Sequence, residues 1–183
     1  MEWFFELDGN ILLFIQEYIR SDFMTPIWKF ITFLGDAGWF WILLTIILLI
    51  PKKTRKIGIV SFVSIAIGVL ITNVALKNIV ARTRPYEVVE GLNLLVAKAH
   101  DYSFPSGHSC ASFASAFAIY KTSPKKYGIP ALILASLIAF SRLYVGIHYP
   151  TDVIAGVIIG IVSAVLSVFI IAKYNERKNK TRI

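Results

Sequence analysis

Residues 141–152 read Ser141-Arg142-Leu143-Tyr144-Val145-Gly146-Ile147-His148-Tyr149-Pro150-Thr151-Asp152, and they run straight into Val153 to Ala172, 20 residues without a charge. An apolar run of that length crosses a hydrocarbon core of roughly 30 Å as a helix. Pro150 suits the first turn of such a helix, where its missing N–H costs nothing. Asp152 then falls in that turn and His148 just before it. A carboxylate so placed can hold one imidazole nitrogen and leave the other free to react. Arg142 keeps its proton and must meet water, a carboxylate or a phosphate. Ionisable groups at the edge of a membrane span are costly and mark a site or a water-facing cap. The stretch alone leaves both readings open.

The rest of the chain shares this character. Of 183 residues, 56% are hydrophobic, and mean hydropathy is +0.67. A second run, Ile57 to Leu76, is again 20 residues without charge. The composition is that of an integral membrane protein. Net charge is +8, but the basic residues sit at the ends of apolar runs. They form no stripe interleaved with aromatics, so a nucleic-acid partner is not expected. Cys110 is the only cysteine, which excludes an intrachain disulfide and a cysteine metal site; it reads as a small buried residue. The N-terminus, from Met1 to Glu6, lacks a basic leader and does not read as a cleavable signal peptide.

The pattern predicts an all-α, polytopic transmembrane bundle of five to six membrane helices in one domain, 1–183. Residues 1–36 read as short interfacial helices, Asn10–Arg20 and Met24–Leu34, or as one broken span. The core bundle is expected over 37–174, with spans at 38–50, 57–80, 107–121, 127–144 and 150–172. Residues 175–183 read as a frayed basic cytoplasmic tail. Basic clusters at 52–56, 121–126 and 173–182 then share one face, and that face is cytoplasmic by the positive-inside rule. Lys77, Arg84, Ser106, His108, Arg142, His148 and Asp152 all fall on the opposite, outward face.

Two further constellations join the opening stretch there. Lys77 and Arg84 are seven residues apart and share a helix face if the helix extends that far, although Pro85 disfavours helix at Arg84. Snorkelling to headgroups is their bland reading. Ser106 reads as a helix N-cap, with Gly107 allowing close backbone approach and His108 at the helix mouth. A helix N-terminus offers free N–H groups and partial positive charge to an anion. The three constellations together supply fixed cations, two helix N-termini, two histidines and a carboxylate. That set suits phosphoryl transfer, whose transition state is stabilised mainly electrostatically. Tyr144, Tyr149 and the tryptophans read as interfacial aromatics at the headgroup level. Arg82 and Lys98 read as surface charges that could touch a headgroup.

Lys-x6-Arg-Pro from Lys77, Pro-Ser-Gly-His from Pro105 and Ser-Arg-x5-His-x3-Asp from Ser141, in this order, resemble the three-part signature of the PAP2 phosphatase family. The resemblance spans residues 77–152 and fills every signature position. It implies that His148 is a nucleophile forming a phosphohistidine, that Asp152 orients it, and that His108 is the general acid. It implies a phosphate clamp of Lys77, Arg84, Arg142, Ser106 and the Gly107 N–H, with no metal and no cofactor. The expected substrate is a lipid phosphomonoester or diphosphate (undecaprenyl diphosphate, phosphatidylglycerophosphate or phosphatidate) in a bacterial plasma membrane. Availability of Arg82 and Lys98 leans slightly towards the isoprenoid diphosphate. Residues 86–104 would form the entrance. Membrane lipids are the expected partners. A bell-shaped pH dependence follows if His148 is neutral and His108 charged. The alternatives are a non-catalytic lipid binder or transporter using the same pocket, and vanadate-dependent oxidation.

Overall fold

The computed structural model describes the backbone of residues 2–180 and the side chains of residues 6–178. Every regular element among them is a helix. Helix α1 (Glu2–Phe14) continues into a π-helical turn, Ile15–Ile19; α2 (Thr25–Leu34) and α3 (Trp39–Leu49) flank a 3₁₀ turn at Asp36–Gly38. Helix α4 (Arg55–Val69) widens into a π-helical stretch, Leu70–Leu76, before α5 (Lys77–Val80) and the short α6 (Pro85–Val88). Then come α7 (Gly107–Thr122), α8 (Lys125–Tyr144) and α9 (Pro150–Lys180). Prolines punctuate the pattern where their missing N–H is harmless: Pro26, Pro85 and Pro150 lie in first turns.

Three helical stretches are long and apolar enough to cross a membrane: 55–88, 125–144 and 150–178. Helices α2 and α3, bent by 44° at their junction, make a fourth if read as one broken span. The expected core segments coincide closely with α3, α4–α5, α7, α8 and α9. Helix α7 has only 16 residues and lies at the centre, packed against α4, α8 and α9. Within the described residues the basic tail is not frayed as expected: α9 carries it in helix to Lys180. Arg182 lies outside the described residues.

The bundle is inside-out relative to a soluble fold. Phe62, Leu70, Val74, Ile79, Ile133, Ile158 and Phe169 are exposed on its outer surface, an apolar area far larger than a soluble monomer leaves bare. Its interior is small and hydroxylic. Thr45 Oγ1 bonds Ser61 Oγ at 2.7 Å, Ser61 Oγ meets Ser115 Oγ at 2.8 Å, and Trp41 Nε1 donates to Ser112 Oγ at 2.9 Å. Ser64 and Ser167 donate to the carbonyls of Ala114 and Val60. In lipid, where burial of apolar surface gives little drive, such close packing and interhelical hydrogen bonds hold helices together. Cys110 is buried among them, as expected. Trp41, Tyr144 and Tyr149 correct the interfacial reading: all three are core residues, while Trp39 stays at the surface and the Trp3 side chain lies outside the described ones.

Helix α9 rests on α7 through Gly156 and Gly160. A Cβ at Gly160 would stand 2.6 Å from the Cys110 carbonyl oxygen and 2.9 Å from the Ala114 nitrogen; at Gly156 it would stand 2.5 Å from the Ser106 carbonyl oxygen. These neighbours are backbone and cannot rotate away. Gly160→Leu is therefore expected to cost at least the ~1–3 kcal/mol typical of overpacking, lowering the thermal midpoint in detergent. Ile158→Ala, on the exposed face, should leave that midpoint nearly unchanged.

Candidate active site

The site forms at one end of the bundle, where α5 breaks, α7 and α9 begin, and α8 ends. The basic loops are at the other end, with Lys53 and Lys126 lining one groove there. Pro150 starts α9, and Asp152 in its first turn reaches back to accept from the Tyr149 N–H at 2.9 Å. This bond, half of a capping box, fixes the carboxylate. Gly146 (φ 78°) turns the chain out of α8; a Cβ there would press on Arg20 Nη2 at 2.8 Å. The turn delivers His148 to the carboxylate, with Nδ1 3.5 Å from both Asp152 Oδ2 and Ser103 Oγ.

On the other side of the ring, His148 Nε2 is 3.3 Å from Arg84 Nη1. A guanidinium has no acceptor, so Nε2 must offer its lone pair and Nδ1 carries the hydrogen. The tautomer thus places the accepting lone pair at the cationic side. His148 is 2% exposed. Burial above all, with help from Arg142 and Arg84 and against the pull of Asp152, pushes its pKa down to about 3. The imidazole is therefore neutral at ordinary pH.

The three expected cations are all buried and converge. The shared helix face is not what joins Lys77 to Arg84. Helix α5 stops at Val80, and Ala81 takes a left-handed conformation (φ 47°), which costs a non-glycine residue about 1–2 kcal/mol. Beyond it Arg84 is extended (φ −77°, ψ 150°). Arg84 donates to the carbonyl oxygens of Ile147 at 3.0 Å, Asp101 at 2.9 Å and Tyr102 at 3.2 Å. Both Lys77 and Arg84 are paired with the Asp101 carboxylate. Arg142 donates to Thr32 Oγ1 and lies within electrostatic reach of Asp36, Arg84 and Asp101. Its buried Nε has no partner among the described residues.

Ser106 is the N-cap of α7, its Oγ accepting from the Ser109 N–H at 3.4 Å. The Ser106 N–H donates to the Asp152 carbonyl at 3.0 Å, which locks the starts of α7 and α9 together. Gly107 faces Asn73, whose Oδ1 would be 3.2 Å from an added Cβ. His108 Nε2 pairs with Asp36 Oδ1 at 2.8 Å. Its ring lies over Gly35, where a Cβ would stand 2.6 Å from His108 Cδ2.

Sequence reasoning missed a second ring of groups. Arg82 is not a surface charge. It bridges Asp152 Oδ1 and Asp8 Oδ2, each at 2.7 Å, and its guanidinium lies 3.8 Å over the Tyr149 ring. Lys98 remains exposed, near the Tyr86 ring. Ser103 donates to Asp152 Oδ2 at 2.5 Å. Asp8 also accepts from Thr151 N at 3.2 Å. Asp8, Thr32 and Asp36 come from the segment read as interfacial. One signal was available: residues 1–36 carry Glu2, Glu6, Asp8, Glu17, Asp22 and Asp36 against Arg20 and Lys29, an acidic excess facing a cationic site.

A helical membrane bundle with a buried imidazole–carboxylate pair beside a cationic cluster is the class this geometry defines. The chain belongs to the PAP2 superfamily, whose family model matches residues 58–176. An undecaprenyl-diphosphatase from Sulfolobus acidocaldarius is 43% identical over 138 residues, 74% of this chain, and the match spans 66% of that relative's length. The crystal structure of Aquifex aeolicus LpxE superposes with a TM-score of 0.78 at 26% identity, covering 87% of this chain and 93% of the other. A transmembrane PAP2-type phosphatidylglycerolphosphate phosphatase from Bacillus subtilis gives 0.76 at 26% identity, covering 94% and 88%. These relatives and the apolar exterior make the protein an integral membrane protein.

Arg82→Ala would leave two buried carboxylates without their cation. Removing one partner of such a pair typically costs about 3–5 kcal/mol. A large drop in thermal midpoint is expected, with partial recovery in Arg82→Lys.

Proposed function

We propose that the protein hydrolyses a lipid phosphomonoester or diphosphate without a metal, through a phosphohistidine at His148. The observation that carries this reading is the orientation of His148: Nδ1 towards Asp152 and the Nε2 lone pair 3.3 Å from Arg84 Nη1. A phosphate held by that guanidinium would lie beside the nucleophilic nitrogen. Nε2 attacks, the bond to the leaving oxygen breaks, and His108 supplies that oxygen's proton. Asp152 accepts the Nδ1 hydrogen bond and stabilises the positive charge that develops on the ring. In the second step His108 takes a proton from water, which attacks phosphorus and releases phosphate and free His148. Lys77, Arg84 and Arg142, with the Ser106 hydroxyl and the Gly107 N–H, neutralise the phosphoryl oxygens. The unmatched Arg142 Nε supports an anion in that place, because an unmet buried charged donor is costly.

In this reading five spans (α3, α4–α5, α7, α8 and α9) cross a bacterial plasma membrane and the site faces outward, opposite the basic loops. A lipid reaches it laterally. The similarity to an undecaprenyl-diphosphatase at 43% identity favours an isoprenoid diphosphate over a glycerophospholipid phosphate.

Phosphate release by purified protein in detergent with EDTA tests this, using undecaprenyl diphosphate, phosphatidylglycerophosphate, phosphatidate and a soluble phosphomonoester. Release from the diphosphate, reduced at least roughly a thousandfold in His148→Ala, is the expected result. No release from any of them, with folded protein still binding lipid, would establish a binder or transporter instead. The acid limb of the pH profile of kcat/KM, corrected for substrate ionisation, reports protonation of His148. The imidazole stays neutral down to about pH 3, so that limb should lie below the ordinary histidine range.

A further inference from the structure

We propose that Asp101 is a built-in competitor for the phosphoryl clamp: a carboxylate that substrate phosphate displaces and that returns to expel inorganic phosphate after hydrolysis. The inference rests on reading Lys77, Arg84 and Arg142 as that clamp.

Asp101 Oδ1 accepts from Arg84 Nη2 at 2.5 Å and Oδ2 from Lys77 Nζ. The same guanidinium presents Nη1 at 3.3 Å from His148 Nε2. A phosphorus atom placed for attack by Nε2 therefore puts an oxygen within reach of the guanidinium that Asp101 occupies. The two oxygens of a carboxylate present the same bidentate edge to a guanidinium as two oxygens of a phosphate. The carboxylate and a phosphoryl dianion would repel each other across one small cluster, so one must yield.

Asp101 is built to be the one that yields. The Lys77 and Arg84 side chains are 8% and 5% exposed, whereas the Asp101 side chain is 53% exposed. The cations sit on or beside helices. Asp101 belongs to the irregular connection between α6 and α7, tethered by Ser103 N to Arg82 O and by Leu95 N to Val145 O. Burial alone would raise the Asp101 pKa, but the Lys77 hydrogen bond and the charges of Lys77 and Arg84 outweigh it and hold it below the usual carboxylate range. The competitor is thus an anion at working pH.

Competition of this kind weakens every anion at the clamp by the same factor. The ratio of lipid to phosphate affinity is unchanged, but a lipid substrate is also held by contacts of its chain, whereas inorganic phosphate has the clamp alone. Asp101 thereby lowers the absolute affinity of the free product and speeds its departure.

The test is binding of orthophosphate and orthovanadate by isothermal titration to detergent-purified full-length protein and to Asp101→Asn, Asp101→Ser, Asp101→Glu and Arg84→Ala. Both anions should bind about tenfold tighter to Asp101→Asn and Asp101→Ser, the scale of a lost charge-assisted contact. Asp101→Glu, which keeps the charge, should stay close to the parent. Equal or weaker binding by Asp101→Asn and Asp101→Ser, with the parent binding and Arg84→Ala not, overturns this inference and leaves the clamp standing. No binding by the parent or any variant overturns the clamp and the inference together. Thermal unfolding of each variant in the same detergent identifies a misfolded protein, and either of the two neutral substitutions suffices for the comparison.

Discussion

A carboxylate with no solvent exposure organises this end of the molecule. Asp152 is fully buried, and a buried charge stands only when its lone pairs are met. Its partners arrive from across the chain: the Tyr149 N–H from the same helix start, Ser103 from the connection before α7, Arg82 from the break after α5 and His148 from the turn after α8. Each must be positioned to within hydrogen-bonding distance. The carboxylate therefore fixes where α9 begins, how the 81–84 segment runs and where the connection before α7 lies. The orientation of the imidazole follows from it, while burial keeps the ring neutral against its pull.

The electrostatic pattern extends outward in alternating signs. Asp152 and Asp8 flank Arg82, Asp101 joins Lys77 to Arg84, and Asp36 faces His108. Charges buried near a membrane core are tolerable in such pairs because each desolvated group has a partner. Apolar packing does little of this work. The helices are held by small residues, a glycine contact between α7 and α9 and a chain of hydroxyls, so the polar end keeps its geometry against a close-packed scaffold.

The sequence made the apolar helices and the cationic end legible because those signals are local. Twenty uncharged residues are a span wherever they occur, and Pro150 with Asp152 announces a helix start. The His148–Asp152 proximity needed only a four-residue separation. The polar partners from the N-terminal segment were not legible. Asp8 meets Thr151, Thr32 meets Arg142 and Asp36 meets His108 across separations of 143, 110 and 72 residues, and no local period encodes such pairs. Arg82 was misread because an arginine at a variable position inside a motif reads the same in sequence whether it points out or in. The left-handed Ala81 decides that, and an alanine gives no hint of it.

The bond from Asp8 to the Thr151 N–H ties the start of α9 to α1, the first helix of this chain. His148 and Asp152 emerge from the ribosome after every group that holds them. Until α9 docks, the cations and acids of the earlier segments have each other but not the imidazole–carboxylate pair. Assembly of this end of the molecule is thus a late step in biosynthesis.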